Sequence, residues 1–173
     1  MNYKSIISLC LISLILFTCE KDDICAEGSA ITPQLIVTFY DETNPTEKKN
    51  VTDLYVFGFD DDNQAVLFQS STITTTDSIA FPLRTDVNIT KIGFFVDAEL
   101  DTDNNIITSD NQDVIDFNYT RNDVYVSRAC GFKATYLDLV PNLEGDADNW
   151  ILNIETVNQN VENELEAHVK IYH

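Results

Sequence analysis

Histidine, glycine and positive charge are scarce in this chain, and each shortage closes off a class of chemistry. The two histidines, His168 and His173, stand at the extreme C-terminus, so a Cys/His or Ser/His nucleophile has little to draw on. With five glycines there is no glycine-rich phosphate loop, and neither G-x-S-x-G nor H-E-x-x-H occurs. Ten Lys and Arg face 29 Asp and Glu, a net charge of −19. Such a surface repels a phosphate backbone, which excludes nucleic acid as a partner. No apolar run spans a membrane: Ile6 to Phe17 is twelve residues, a helix of ~18 Å against a hydrocarbon core of ~30 Å. Beyond it no segment sustains the 3.6-residue spacing of an amphipathic helix.

What is present begins with Lys4 and the uncharged stretch Ser5 to Phe17, the basic start and short apolar core of a signal peptide. Leu16-Phe17-Thr18-Cys19 then resembles a bacterial lipobox, although Phe17 and Thr18 depart from its commonest choices. The resemblance implies cleavage before Cys19, a diacylglycerol thioether on it and acylation of the new amine. Several acyl chains, at about 0.8 kcal/mol per buried methylene, anchor stably. The competing reading of Cys19 is a plain disulfide partner. Glu20-Lys21-Asp22-Asp23 resembles the short Lys/Asp/Glu-rich signal that sends Bacteroidota lipoproteins to the outside of the outer membrane. The competing reading is a hydrated tether, with the periplasmic face as the alternative address. Residues 1–18 are therefore set aside, 19–33 read as a lipidated acidic tether, and 34–173 as one domain. The mature chain of 173 − 18 = 155 residues, with charge 9 − 29 = −20, is long enough for one core and not two.

Of the four cysteines, Cys10 leaves with the signal and Cys19 takes lipid. Cys25 and Cys130 remain in a compartment where disulfides persist. Either they pair or they stay as two free buried thiols. Pairing closes a loop of 130 − 25 = 105 residues, which by the chain-entropy estimate constrains the unfolded state by ~4.7 kcal/mol. It also leaves a leash of 25 − 19 = 6 residues, at most ~22 Å long, between lipid and fold.

The remaining sequence reads as strands. "DLYVFGF" (Asp53 to Phe59) is apolar on both faces, with Leu54 and Val56 on one and Tyr55, Phe57 and Phe59 on the other, as in a strand covered on both sides. "SIAFPLR" carries Pro82, which marks an edge or strand end. "NITKIGFFVDAEL" puts Ile92, Phe94, Val96 and Ala98 on one face. "DVIDFNYT" and "VYVS" flank "RND" as a candidate hairpin. At the end, Leu165, Ala167, Val169 and Ile171 alternate with Glu166, His168, Lys170 and Tyr172, predicting a half-buried strand with His168 on the wet face. Eight to ten short strands with frequent turn signals predict one all-β domain, an antiparallel β-sandwich of immunoglobulin-like or transthyretin-like kind.

Few residues point to chemistry. Asp101, Asp103 and Asn105 have the alternate spacing of a calcium loop, but Ile106 and Gln112 stand where glycine and glutamate are needed, so Ca2+ is at most a candidate and an acidic hairpin loop is expected. Asp60 to Asp62 reads as a turn. Trp150 and the tyrosines at 40, 55, 119, 125 and 136 would either line a binding face or fill the core. Asp77-Ser78-Ile79 resembles the O-glycan acceptor of exported Bacteroidota proteins, with Ser78 as acceptor. The sequons at Asn50, Asn88 and Asn118 mean little in a bacterium.

"CEKDDIC", "FYDETNPTEKKNVTDLYVFG", "VYVSRACGFKATY" and "HVKIYH" together resemble a family of small Bacteroidota lipoproteins of unknown function. The resemblance covers the mature chain and implies lipid on Cys19 and a structural role for Cys25 and Cys130. More locally, "VTDLYVFGFDDDNQAV" resembles the opening hairpin of fimbrillin-type sandwiches. The expected function is a surface-exposed outer-membrane lipoprotein that binds an envelope protein or a glycan without catalysis. The alternative is a structural or accessory subunit of a fimbria-like assembly, and a hydrolase or metal-dependent enzyme stands third.

Overall fold

The computed structural model describes residues 24–25, 31–68, 72–101, 106–107 and 111–173. The chain divides into a smaller unit, which holds Cys25 and Tyr125–Lys133, and a larger one, Thr32–Val124 with Ala134–His173. The larger unit is a β-sandwich. Its first sheet holds β1 (Leu35–Asp41), β2 (Asn44–Lys48), β6 (Ser78–Phe81), β12 (Asn153–Thr156) and β13 (Val169–Tyr172). The order is β12-β13-β1, with β2 and β6 sharing the far side of β1. In the second sheet are β3 (Val51–Phe59), β4 (Ala65–Val66), β5 (Thr74–Thr76), β7 (Ile89–Phe95), β10 (Gln112–Ser127) and β11 (Gly131–Leu143). These run β11-β10-β7-β3, with β4 and β5 beyond β3. A separate ribbon pairs β8 (Glu99–Leu100) with β9 (Ile106–Ile107).

The all-β sandwich agrees with the pattern of the sequence in class and differs in two details. There are thirteen strands among the described residues rather than eight to ten, the surplus being stubs of two to five residues such as β2, β4 and β5. One pairing is parallel: Val37, Thr38, Phe39 and Tyr40 of β1 lie opposite Val169, Lys170, Ile171 and Tyr172 of β13. The last strand lies beside the first, so nearly the whole chain serves as the crossover that a parallel pair requires.

The core follows the period-2 alternation. Leu35, Val37 and Phe39 from β1 meet Leu54 and Val56, Ile92 and Phe94, Ile115 and Phe117, and Val169 and Ile171. The other face of β3 carries Tyr55 and Phe57, which pack with Phe95 and Ala98 as a second cluster. Phe57 stacks on Phe95 with centroids 5.2 Å apart. It lies across Gly93, where a Cβ would come within 2.6 Å of its ring, so only glycine admits the ring. Both expected faces of "DLYVFGF" are therefore buried. Pro82 falls just after the end of β6, where it withdraws no ladder donor.

Four readings of the sequence are corrected. Ala98 joins Tyr55 and Phe57 rather than Ile92 and Phe94, because β7 ends at Phe95 and Asp97 takes a left-handed φ of 52° that turns the chain. Arg121 to Asp123 is not the hairpin turn but lies inside the sixteen-residue β10. Extended backbone puts residues 121 and 123 on one side, where Arg121 and Asp123 form an ion pair of 2.5 Å. The reversal comes at residues 128–130, where Gly131 supplies the positive φ of 71° that a tight hairpin needs. Leu165 is 87% exposed because the terminal strand starts only at Val169.

His168 is the fourth correction: it is 2% exposed. Just ahead of β13, its backbone N–H donates to Ile36 O at 2.9 Å, while its ring Nδ1 accepts from Ile36 N–H at 3.1 Å. An accepting Nδ1 must be unprotonated, so the ring is neutral with its proton on Nε2. Burial pushes its pKa below the usual 6.5. Two buried tyrosines secure the loop after Pro82. Tyr136 donates to Leu83 O at 3.0 Å and Tyr119 to Arg84 O at 2.8 Å, with the rings edge to face at 4.9 Å. Burial raises the Tyr136 hydroxyl to about 12.

Two measurements probe these contacts. Because the unfolded chain protonates His168 at a pH where the folded chain resists, its contribution is full above pH 6.5 and lost as pH falls below it. The stability advantage of wild type over His168→Asn should shrink on acidification by up to about 1.4 kcal/mol per pH unit; a pH-independent difference in urea unfolding would refute the neutral, buried ring. Tyr136→Phe strands the Leu83 carbonyl and should cost about 1–3 kcal/mol; unchanged urea midpoints would show that this hydroxyl holds nothing.

Candidate functional site

Between β5 and β6 the chain changes sheets. Thr74 and Thr76 pair with Leu54 and Val51 of β3, and one residue later Ser78 to Phe81 pair with β1. Asp77 is the corner, and its carbonyl accepts the Phe39 N–H at 2.9 Å. Threonine suits this path: its branched Cβ favours extended backbone, and its hydroxyl ties off groups that the corner leaves unpaired. Thr76 Oγ1 donates to Ser78 O at 2.8 Å and accepts from Ser78 N–H at 3.2 Å. Ser78 Oγ donates to Val37 O at 3.3 Å.

The corner forms one wall of a cleft of about 250 Å³, lined by Val56, Phe68, Thr72, Thr74, Thr76, Ser78, Ile79, Ala80 and Phe81. Its apolar part centres on Phe68 and Phe81, stacked with an interplanar angle of 10° and centroids 6.1 Å apart. Gly58 lets Phe68 lie against β3, since a Cβ there would meet the ring at 3.2 Å. The polar part consists of four neutral hydroxyl-bearing residues. In a chain of net charge −19, this cleft is walled by uncharged groups.

The residues singled out in the sequence are scattered. Cys25 and Cys130 are joined, with S–S 2.01 Å and Cα–Cα 4.8 Å. Cys19, Glu20, Lys21, Asp22 and Asp23 lie outside the described residues, as do Asp103 and Asn105. Asp101 follows β8 at the start of the ribbon's loop, and among the described residues no group of three or more His, Cys, Asp or Glu side chains converges as a metal site. The turn at 60–62 is held by Asp60 Oδ1, which accepts from Asp62 N–H at 3.0 Å and Gln64 N–H at 2.8 Å. Ser78 belongs to the cleft wall, half-buried, with its hydroxyl engaged as above.

Trp150 is half-buried against the core. Its Nε1 donates to Phe94 O at 3.4 Å, and its ring meets His173 edge-on at 5.6 Å. No exposed aromatic patch surrounds it among the described residues. Among the described residues the exposed aromatics are Tyr125 and Phe132, in the smaller unit. Asp113 gave no sequence signal beyond its place among 29 acids. It is fully buried on β10, and Oδ2 accepts the Ile151 N–H at 2.7 Å. Burial raises its pKa against the opposing pull of donors from Ile151, Asn149 and Trp150. It anchors the connection into β12. The cleft had a faint signal: hydroxyls at alternate positions, Thr72, Thr74 and Thr76, between two apolar strands.

A model of a family described as "Family of unknown function (DUF6452)" matches residues 53–173, more than half of the chain. This protein belongs to the DUF6452 family. No curated protein and no solved structure matches the chain. The DUF6452 match opens inside β3 and runs to the C-terminus, so it takes in every cleft residue and Cys130. It leaves out β1 and Cys25, although β1 forms the centre of one sheet.

The disulfide should contribute less than its 105-residue loop suggests. The Ala134 N–H already donates to Thr32 Oγ1 at 3.1 Å, so the folded chain without the bridge retains a short loop of about eleven residues, from Cys25 to Thr32 and Cys130 to Ala134. The difference in closure entropy is then about 2 kcal/mol rather than ~4.7. Cys25→Ser with Cys130→Ser should lower the urea-unfolding free energy by that amount and leave β-sheet circular dichroism unchanged; a loss of the larger size would show that the bridge also stabilises the sandwich directly.

Proposed function

We propose that this DUF6452 protein is a Bacteroidota lipoprotein, anchored through Cys19 in the outer membrane and facing outward, whose sandwich binds a neutral glycan in the cleft at the β5–β6 corner. The cleft's chemistry carries the reading. The hydroxyls of Thr72 and Thr74, with the remaining lone pairs of Thr76 and Ser78, match the donors and acceptors of a sugar, and the partly buried ring of Phe68, backed by the buried Phe81, matches its C–H face. Uncharged walls suit an uncharged ligand, since an ionic one would require a buried counter-charge. The lipobox and the acidic run behind it support the address. Cleavage before Cys19 and a six-residue leash to Cys25 would hold the domain at the surface where such a ligand is met.

A second reading has its own observation. β12 ends its sheet and is flanked by Leu152, 62% exposed, and Val157, 49% exposed, the edge to which a partner strand in a fimbria-like assembly would add.

Three measurements discriminate. Cys19→Ala should move the protein from the membrane to the soluble fraction; continued membrane association would sink the lipoprotein reading. The full-length lipoprotein in detergent, offered an array of neutral and acidic oligosaccharides, should retain neutral ones. Replacing Thr72 and Thr74 by valine keeps the shape and removes two hydroxyls, so that binding should weaken about tenfold or more; affinity unchanged in that variant would remove the cleft from consideration. A photo-crosslinker at Leu152 that captures an envelope protein, while one at Thr72 captures none, would favour the edge-strand reading.

A further inference from the structure

The hairpin part of the smaller unit differs in composition from the acidic chain around it. Tyr125 to Lys133 reads "YVSRACGFK": two bases, Arg128 and Lys133, and no acid, in a chain where acids outnumber bases 29 to 10. This is the turn end of the β10–β11 hairpin. Tyr125 is 59% exposed and Phe132 65%, and their rings meet edge to face at 5.4 Å. Ile24, next to the bridged Cys25, is 84% exposed. Arg128 at the turn is exposed as well. A pair of aromatic rings beside exposed positive charge is the composition of a membrane-interface contact: the rings settle at headgroup level and the bases pair with phosphates.

The covalent path leads to the same place. The disulfide fastens Cys25 to Cys130 within the hairpin turn, Cα to Cα 4.8 Å. Six residue steps lead from Cys19 to Cys25, at most ~22 Å of extended chain. If Cys19 carries lipid, the bridge delivers the anchor's end to this turn and to no other loop. The tether bridged to this turn carries Glu20, Asp22, Asp23 and Glu27 beside Lys21, so net charge does not select the tip; its exposed rings do, with Arg128 and Lys133 as the hairpin's own cations.

We propose that the β10–β11 tip is a membrane-contacting surface, with Tyr125 and Phe132 seated at the headgroup level of the leaflet that holds the lipid anchor and Arg128 and Lys133 against its phosphates. The proposal rests on the lipoprotein reading and adds an orientation to it. The disulfide then serves to couple anchor and tip, so that the domain is held at the surface by two attachments rather than one.

The test uses the full lipidated chain carrying Phe132→Trp, reconstituted into vesicles of phosphatidylethanolamine and phosphatidylglycerol with or without brominated acyl chains. Trp150, half-buried in the other unit, is the internal reference in the wild-type protein. Bromination should cut the emission of the introduced indole roughly twofold, as expected for a ring at the interface, and leave wild-type emission unchanged. Adding Arg128→Glu with Lys133→Glu should abolish the quenching while the protein still floats with the vesicles. Unquenched, water-exposed emission from the introduced indole in protein that floats would overturn the tip contact and leave the lipid anchor standing. Failure of the unmutated chain to float would instead remove the lipoprotein reading on which the proposal rests. Quenching that persists in the double glutamate variant would overturn the role assigned to the two bases.

Discussion

The parallel pairing of β1 with β13 is the constraint on which the rest of the sandwich depends. β1 is the central strand of its sheet, and three others (β13, β6 and β2) pair with it directly. Its principal partner comes from the far end of the chain, with Val37 opposite Val169. That sheet therefore cannot close until almost the whole chain is in place, and the entropy of ordering it must be offset by contacts of very long sequence separation. His168 supports this junction by engaging Ile36 through backbone and ring at once. A neutral imidazole that accepts from a backbone N–H does there what a further ladder bond would do.

Two of the chain's passages between the sheets show how their edges are covered. On one side, residues 74–81 pass from β3 to β1 through the corner at Asp77. On the other, residues 157–161 leave β12 and meet β11, with Tyr136 and Val161 exchanging hydrogen bonds of 3.2 and 2.7 Å. Both crossings cover sheet edges that would otherwise present unpaired backbone. They differ in chemistry. The second is sealed by apolar packing around Tyr136 and Val161, whereas the first is built of threonine and leaves a cleft. The proposed ligand site therefore lies at a seam rather than on a sheet face.

The sequence was most informative where burial is two-sided or strictly alternating. Leu54 and Val56 against Tyr55 and Phe57 could be separated onto two faces of one strand, and they lie in two different clusters. The Cys25–Cys130 bridge was legible as one of two readings, since the expected loss of Cys10 and lipidation of Cys19 would leave those two cysteines, and the structure joins them. The aromatic positions were ambiguous: Tyr119, Tyr136 and Trp150 entered the core while Tyr125 stayed out, although nothing in their immediate neighbours separates them. Arg121 to Asp123 has turn-forming composition but lacks a residue at ease with positive φ, and the reversal waited for Gly131. His168 obeyed the alternation rule only in appearance, because the strand that would have turned it outward does not begin until the next residue.

By itself, then, the sequence determined the all-β class and the faces of the central strands, and it named the two cysteines that the structure joins. These are local: each follows from periodicity, composition or a short spacing. Only the tertiary structure decided that first and last strands pair in parallel, that His168 and Asp113 are interior, and that four hydroxyl-bearing residues and two phenylalanines frame one cleft. It also brought the rings of Tyr125 and Phe132 together across the hairpin that holds the bridged Cys130. Each of these depends on which residues distant in the chain become neighbours, and a period-2 pattern names the face of a strand without naming the strand beside it.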